Sequence, residues 1–413
     1  MPTFRGCRAW ARRLRAFAGV STIVLVTLLG LPAPGHAFEI VQYFPVSSTG
    51  VPPPFPDTGW RIRYGILSPL THGYGNAAVW EIQSVEFMRG YTVTGDQDWI
   101  PVLKNLALVE MYVSYHDGYE IWDMQGISGF VQASPALLPS AGVVSASVQP
   151  DGAVIAEVSD DHVRWMSIND QVRRGQRLDL WATLSAANYR YIMRYSFLDD
   201  GTIQARVAGT SQNLRSVPVG DDAGMHVHQG AWRMEFDLGS PAANDIHVME
   251  RIADPDSAGA TLQHRPFNNG LEGGEAWNPE LFTSLVVEST VIDDRHTPPH
   301  KIGYSMMPLR GGALRNFRQY TQKDVWAALL TAPNGSTDRL RYLDVLNYVE
   351  LARPLAGQPV ALWVSAALHH VPRTEDFGAD GYNASQGVAL AMWTGFDLMP
   401  HNLWDKTPLY QLP

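Results

Sequence analysis

The sequence predicts a mainly β protein, a large antiparallel β-sandwich with few helices, and three observations support that fold class. Short runs of alternating or β-branched residues recur along the chain and are separated by Asp-Gly and similar turn signals. Hydrophobic residues make up 45% of the chain and charged residues only 17%, so the chain can bury a large core. After residue 60 there is no second linker and no internal repeat, which predicts one large domain.

The first 37 residues have the pattern of an export signal. Five arginines and no acidic residue precede an apolar stretch, and small residues surround Ala37, as at a cleavage site. We therefore expect residues 1–37 to be a signal peptide, residues 38–413 to form the domain, and the protein to be secreted or periplasmic. No later apolar run approaches the roughly 20 residues of a membrane helix, so no membrane anchor is expected after signal removal. Residues 46–60 are rich in Pro, Ser and Gly and predict a leader loop.

Charge and cysteine content exclude several classes of function. The net charge of −10 argues against a nucleic-acid partner held by phosphate contacts. The single cysteine, Cys7, lies inside the predicted signal, so the remaining chain has no thiol. This excludes disulfides, thiolate zinc sites, iron–sulfur clusters and cysteine nucleophiles, and any metal must be held by imidazole or oxygen.

Local patterns predict the secondary structure around the candidate site residues. Residues 148–165 and 189–207 each read as two strands joined by an Asp-Gly turn, so both segments predict hairpins. Residues 321–330 alone have a convincingly helical pattern, and we expect a helix there.

Two histidines in residues 225–238 share one face of a predicted strand. Alternation places His226 and His228 with Trp232 and other apolar residues, whereas Arg233 lies on the opposite face. A single histidine on an apolar face is usually a core residue bonded to the backbone. Burying two neighbouring imidazoles is costly unless their ring nitrogens find partners, and a bound cation is one such partner. Metal ligation and a purely structural role are equally supported by this motif alone.

A third histidine with an inward position is found in residues 360–372. There His370 shares the face of Leu362 and Leu368, whereas His369 lies on the other face. A site of three histidines without thiolate suits Cu(II) or Zn(II), and the spacing does not choose between them. The remaining histidines are interpreted as surface or structural residues: His72, His116, His162, His247, His264, His296, His300 and His401.

Alternation also places an aromatic stripe on one face of the strand that begins at residue 189. Tyr189 lies with Tyr191, Met193 and Tyr195, so its ring is expected to be buried. Such a stripe is most often packing alone.

These segments belong to an ordered set of motifs. Asn188-Tyr189-Arg190 resembles an Asn-Tyr-Asp/Glu signature, His226-Val227-His228 a His-x-His copper motif, and residues 370–376 a third-ligand segment. Upstream, residues 111–117 are similar to Met-x-Val-Pro-Tyr-x-Asp, and residues 122–126 to Phe-Asp-x-Gly-Glu. Through this set the chain resembles the catalytic domain of the copper-containing primary amine oxidases, over residues 106–238 and 361–408. The smaller domains that usually precede it have no room here, so we expect the catalytic domain alone.

The resemblance implies an activity and its cofactors. Members oxidise a primary amine with O2 to an aldehyde, ammonia and H2O2, and they use Cu(II) and topaquinone, a quinone made from a tyrosine of the chain. They are homodimers, which we also expect here. The implied roles are as follows: Tyr189 is the topaquinone precursor, His226, His228 and His370 bind copper, Asp123 is the catalytic base, and Tyr115 and Asn188 orient the quinone.

Some positions depart from the family pattern. Arg190 replaces the acid after the precursor tyrosine, Ser114 replaces a proline, and Ser185 replaces a threonine. The segment between Tyr115 and Asp123 is shorter than usual. The family's peripheral calcium site would begin at Glu235 and Asp237, but Pro359 stands where a later aspartate is needed, so we do not expect calcium there.

Alternative functions stay open at this stage. The chain could be a catalytically impaired, copper-binding homologue that no longer forms the quinone. It could be a three-histidine zinc hydrolase in which Asp123 or Glu375 activates a metal-bound water. A carbohydrate-binding sandwich has no support in the spacing of the tryptophans. The sequence does not identify the amine.

Overall fold

The architecture comes from a computed structural model. It describes residues 37–44, 58–67, 79–91, 96–124, 128–133, 137–138, 145–166, 168, 172–186, 189–211, 224–294, 296–309, 314–331, 345–349, 352–373, 376 and 388–404. These residues form twenty β-strands and one short α-helix, α1 (Val345–Val349). The strands in chain order are β1 (Phe38–Phe44), β2 (Thr58–Leu67), β3 (Val79–Tyr91), β4 (Gln97–Tyr115), β5 (Glu120–Trp122), β6 (Ser128–Phe130), β7 (Ser145–Val148), β8 (Ile155–Met166), β9 (Val172–Ala186), β10 (Tyr189–Leu198), β11 (Ile203–Ser211), β12 (His226–Phe236), β13 (Asn244–Ala253), β14 (Ala260–Pro266), β15 (Gly273–Glu275), β16 (Ser284–Asp293), β17 (Lys301–Pro308), β18 (Val325–Leu329), β19 (Val360–His370) and β20 (Ala389–His401).

Two antiparallel sheets contain all of these strands. The first sheet has nine strands in the order β1-β2-β3-β4-β12-β19-β18-β15, with β5 paired to β4. The second has eleven strands in the order β14-β13-β16-β17-β20-β11-β10-β9-β8-β7, with β6 paired to β9. The predicted large antiparallel β-sandwich with few helices is therefore confirmed.

Aromatic side chains fill the space between the sheets. Trp60 of the first sheet meets Phe197 of the second at 5.4 Å between ring centroids, and Trp80 meets Tyr195 at 4.8 Å. The Trp60 indole N–H also donates to a main-chain carbonyl of the second sheet, that of Leu198, at 2.8 Å. Such aromatic pairs contribute roughly 0.5–1.5 kcal/mol each beyond the area that they bury. The sheets are thus joined by aromatic packing and by a hydrogen bond that satisfies the buried indole N–H of Trp60.

Both predicted hairpins are present. β7 and β8 pair around a turn that contains Gly152, and β10 and β11 pair around a turn that contains Gly201. Both glycines have a positive φ, +75° and +93°, which most side chains avoid. The second hairpin fixes the start of β10, where Tyr189 lies.

The predicted helix at residues 321–330 is wrong. Strand β18 lies within this segment and pairs with β19 on one side and with β15 on the other. A short 3₁₀ turn, Gln319–Gln322, precedes the strand. The alanines and leucines of this segment favour a helix locally. A strand inside a sheet satisfies its backbone with two neighbours while its side chains are buried, and this tertiary gain overrides local propensity.

The amino-terminal predictions are only partly within the described residues. The signal peptide lies outside them apart from Ala37, and so does most of the predicted leader loop. Residues 58–60 of that loop belong to β2 instead. Among the described residues, none of the helices has the length and apolar character needed to cross a bilayer.

The contact between β20 and β11 generates a stability prediction. Gly395 has a φ of +143°, and a Cβ added there would lie 2.0 Å from the carbonyl oxygen of Ala205. We expect Gly395→Ala to lower the free energy of unfolding by roughly 2–5 kcal/mol, because it combines backbone strain with overpacking. Urea denaturation measures the loss. Gly118→Ala is the control, since Gly118 also has a positive φ but no atom within 4 Å of such a Cβ. Equal losses in the two variants would contradict this account.

Candidate active site

Three histidines meet between the two sheets. Strand pairing places His226 of β12 directly opposite His370 of β19, and His228 follows on the same face of β12. All three side chains have an exposure of 0%. One ring nitrogen from each lies within 4.8 Å of those of the other two, and His226 Nε2 is 3.2 Å from His370 Nδ1. The inward positions predicted for these residues are observed, and His369 is exposed.

Two of the imidazoles are oriented by groups that can only accept a hydrogen bond. His226 Nδ1 lies 2.9 Å from the carbonyl oxygen of Gly224, and His370 Nε2 lies 3.0 Å from the carboxylate of Asp376. Each of these outer nitrogens must therefore carry the proton. When each ring is neutral, the nitrogens that face each other across the cluster, His226 Nε2 and His370 Nδ1, therefore present bare lone pairs.

A tyrosine orients the third imidazole in the same sense. His228 Nδ1 lies 2.9 Å from the hydroxyl oxygen of Tyr191, and that hydroxyl donates its own hydrogen to Asp123 at 2.5 Å. The Tyr191 oxygen therefore accepts from His228 Nδ1–H. This leaves His228 Nε2 deprotonated, and it is a buried atom with no hydrogen-bond partner among the described residues.

An unpartnered imidazole nitrogen beside two further lone pairs fits a cation. Burial lowers the pKa of His226 to about 3 and that of His228 well below its usual value, so both rings are neutral, as a metal ligand requires. Three imidazoles without a thiolate match Cu(II) or Zn(II). The residues present thus fit a resident divalent metal ion.

The phenol of Tyr189 reaches into the same cluster. Its oxygen lies 2.7 Å from His226 Nε2 and 3.1 Å from His370 Nδ1, and its ring stands edge-on to His228 at 4.6 Å. The side chain has an exposure of 2%, and burial, together with nearby acidic groups, raises the pKa of the phenol well above its usual value. The phenol is therefore protonated at neutral pH without a metal, and only a bound cation would favour its anion.

Tyr115 and Asp123 flank the histidines. Tyr115 lies opposite His226 across the β4–β12 pair, and its ring stacks on that imidazole at 4.4 Å. Asp123 follows β5 in a turn, where its amide donates to the carbonyl of Met111. Burial raises the pKa of Asp123 to about 6, and the hydrogen bond from Tyr191 lowers it in part. Asn188 and Glu375 lie outside the described residues.

Two residues that orient these histidines were not predicted from the sequence to do so. Tyr191 was interpreted only as part of an aromatic stripe, and Asp376 only as the end of the third-ligand segment. Because Tyr191 lies two residues after Tyr189 on the same strand face, the period of two could have suggested it. Asp376 gives no such signal, since its contact with His370 depends on a turn. Burial opposes ionisation of Asp376, but hydrogen bonds from His370 and Arg373 lower the pKa of its carboxyl.

The departures from the family pattern have structural counterparts. The Arg190 guanidinium donates to the main-chain carbonyl of Tyr189 at 3.0 Å, so this side chain folds along the backbone. At the positions matched to a calcium site, Glu235 forms an ion pair with Arg233 at 2.5 Å. Burial raises the pKa of Asp237.

Other histidines form small clusters outside the buried site. His116 and His369 stack at 5.0 Å at the surface, and His247 bonds to Glu288. Asp294 accepts from the Nδ1 atoms of His296 and His300, both at 2.8 Å, and its second oxygen accepts from the backbone amides of the same two residues. This carboxylate thereby organises its own loop.

Comparisons with known proteins agree with this architecture. No protein-family model matches the chain. A copper-containing diamine oxidase and an N-methylputrescine oxidase, both described as peroxisomal and both from Nicotiana tabacum, are 22% identical over 287 aligned positions, which cover 61% of this chain. The match covers 35% of each relative, so the chain spans about a third of their length.

Solved structures share the fold. A copper-containing benzylamine oxidase from Hansenula polymorpha superimposes with a TM-score of 0.59 at 15% identity, over 84% of this chain and 60% of that one. A lysyl oxidase from Pichia pastoris and an amine oxidase from Aspergillus nidulans each give 0.56 at 14% identity, over 85% of this chain and 52% of theirs. In sequence and in fold, the chain resembles the copper-containing amine oxidases.

His370 is buried and its neighbour His369 is exposed, and this difference predicts which of the two binds a metal. We expect His370→Ala to weaken binding of Cu(II) by more than the roughly 10–100-fold that is typical when an outer partner of a ligand is lost. His369→Ala is the matched control, because His369 is the next residue on the exposed face, and this variant should keep the affinity. Competition with a chromophoric chelator measures both. Equal weakening in the two variants would mean that the buried cluster is not the metal site.

Proposed function

We propose that this protein is a copper-dependent amine oxidase that converts a primary amine, O2 and water into an aldehyde, ammonia and H2O2. Its cofactors would be Cu(II), held by His226, His228 and His370, and topaquinone made from Tyr189. The observation that carries this proposal is the position of the Tyr189 hydroxyl, within hydrogen-bond distance of two inward-facing imidazole nitrogens in a buried cluster. The names of the similar proteins, all amine oxidases, are consistent with it.

The geometry favours Tyr189 over Tyr191 as the precursor. Both rings are buried and stack at 5.9 Å. The Tyr189 oxygen contacts nitrogens with lone pairs, where a metal would bind, whereas the Tyr191 oxygen contacts the outer, protonated nitrogen of His228. Only Tyr189 is thus placed for its oxygen to become a metal ligand. When bound, copper would enable O2 to oxidise this phenol. The quinone would be the electrophile for the amine and would accept two electrons in its oxidation.

The chain's own residues would position groups and move protons. Asp123 would remove the proton from the carbon next to the substrate nitrogen, a role that needs a carboxylate with a raised pKa. Burial supplies that pKa. Tyr115 would hold His226 by ring stacking and would orient the quinone together with Asn188, as the resemblance implies. The surrounding apolar core would exclude water and strengthen each of these electrostatic interactions.

Export and assembly are further parts of this proposal. The amino-terminal sequence supports a secreted or periplasmic location, and the family resemblance supports a homodimer. The amine is left open as a small primary amine. An inactive copper-binding homologue and a zinc hydrolase are the competing functions, and the two experiments below separate them from an oxidase.

The identity of the cofactor gives a mass prediction. After the metal-free protein is loaded with Cu(II) in air, the peptide that contains Tyr189 should gain two oxygens and lose two hydrogens, about 30 Da. The protein should also become coloured, and hydrazines should bleach it. Tyr189→Phe should bind the metal and stay colourless. Tyr195→Phe, a change on the same face of the same strand away from the cluster, should gain the mass and the colour. A copper-loaded protein without the mass increase would favour the inactive homologue.

The raised pKa of Asp123 predicts the pH dependence of turnover. The base acts only when ionised, so kcat/KM should fall as the pH decreases through about 6, not through the ordinary value of about 4. Asp123→Asn should lower kcat by about 10²–10⁴-fold while the metal content stays unchanged. The measurement is H2O2 release from primary amines across pH 5–9. An acidic limb near pH 4, or full activity of the variant, would remove Asp123 from this role. Activity that required zinc and released no H2O2 would support the hydrolase.

A further inference from the structure

We propose that Tyr191 is a positioning residue that links one metal ligand, His228, to the carboxylate of Asp123. Its role for the metal ligand stands on the metal site alone. Its role for Asp123 rests on the proposed oxidase function. A structural tyrosine of an aromatic stripe would need neither link.

The contacts of the Tyr191 hydroxyl carry this inference. The oxygen donates to Asp123 Oδ2 at 2.5 Å and lies 2.9 Å from His228 Nδ1. All three side chains are buried, with exposures of 0% for Tyr191 and His228 and 7% for Asp123. In this setting water does not replace a lost partner, so each of these hydrogen bonds decides how its groups are oriented.

The hydrogens available to His228, Tyr191 and Asp123 determine which group donates in each of the two hydrogen bonds. A phenol has one hydrogen, and an ionised carboxylate can only accept, so the hydrogen of Tyr191 lies toward Asp123. The phenol oxygen is then an acceptor toward His228 and holds the proton on Nδ1. The lone pair of His228 must in consequence lie on Nε2, the buried atom that has no partner among the described residues. Tyr191 thereby selects the tautomer of His228 that can bind a metal.

The same role is filled differently at the other two ligands. His226 is held by the main-chain carbonyl of Gly224, and His370 is held directly by the carboxylate of Asp376. At His228 the carboxylate is that of Asp123, which reaches the imidazole only through the Tyr191 hydroxyl bonded to both. An acceptor bonded to an anion polarises the N–H more strongly, which raises the basicity of the ligating nitrogen. A single hydroxyl therefore serves the metal and the proposed base together.

Tyr191→Phe tests the link, because it removes only the oxygen and keeps the ring. We expect the affinity for Cu(II), measured by chelator competition, to fall about 10–100-fold, as is typical for loss of an outer partner. The visible absorption and the electron paramagnetic resonance spectrum of the bound Cu(II) should also change. Tyr195→Phe is the matched control, because Tyr195 lies on the same strand face and its oxygen accepts from the amide of Leu108 instead. It should keep the affinity and the spectra.

Asp123→Asn separates this inference from the proposed function. This variant keeps the Tyr191 oxygen beside His228, so it should lose less affinity for Cu(II) than Tyr191→Phe loses. Its turnover should nevertheless be lost. If the wild type oxidises no amine, the oxidase proposal fails, but the affinity and spectra of Tyr191→Phe still decide whether Tyr191 holds the ligand. A Tyr191→Phe protein with wild-type affinity and unchanged copper spectra overturns the inference.

A measurement on the unsubstituted protein covers the case in which Tyr191→Phe does not fold. Nitrogen-15 chemical shifts of the metal-free, histidine-labelled chain report which ring nitrogen carries the proton, and His228→Gln identifies the signal of His228. We expect the proton on Nδ1. A proton on Nε2 would contradict the inference.

Discussion

The pairing of β12 with β19 is the constraint on which the site depends. It sets His226 beside His370, and the pairing of β12 with β4 sets Tyr115 on the other side of His226. A slip of one residue in either pair would turn these side chains to the opposite face. All three central strands are buried along most of their length, so close packing on both faces opposes that slip. The fold therefore fixes the row of imidazoles through its core.

The second sheet completes the site from across the sandwich. β10 brings Tyr189 and Tyr191 against the histidines, so the cluster lies where the two sheets pack and where bulk water is excluded. Placing so many polar groups in a core is costly unless each finds a partner. His228 Nε2 is a buried nitrogen with no hydrogen-bond partner among the described residues. A cation would supply that partner.

The ring of outer partners explains how three imidazoles can present lone pairs to one point. A carbonyl, a carboxylate and a tyrosine hydroxyl each hold one proton on the far nitrogen of its histidine. The three imidazoles are thus oriented before any metal binds, which would reduce the cost of organising a metal site. Arg190, the clearest departure from the family pattern, is not one of these outer partners, and it donates to the main-chain carbonyl of Tyr189.

The sequence by itself determined the β architecture, both hairpins, and the inward faces of His226, His228, His370 and Tyr189, because alternation along a strand is a local property with a period of two. The sequence wrongly predicted a helix at residues 325–329. Short alanine-rich runs favour a helix locally, and the sequence does not show which strands will pair with them. Only the tertiary structure decided that Tyr191 contacts His228, that Asp376 contacts His370, and that His228 Nε2 has no partner among the described residues. The first contact depends on the packing of the two sheets and the second on a turn, and neither follows from the spacing along the chain.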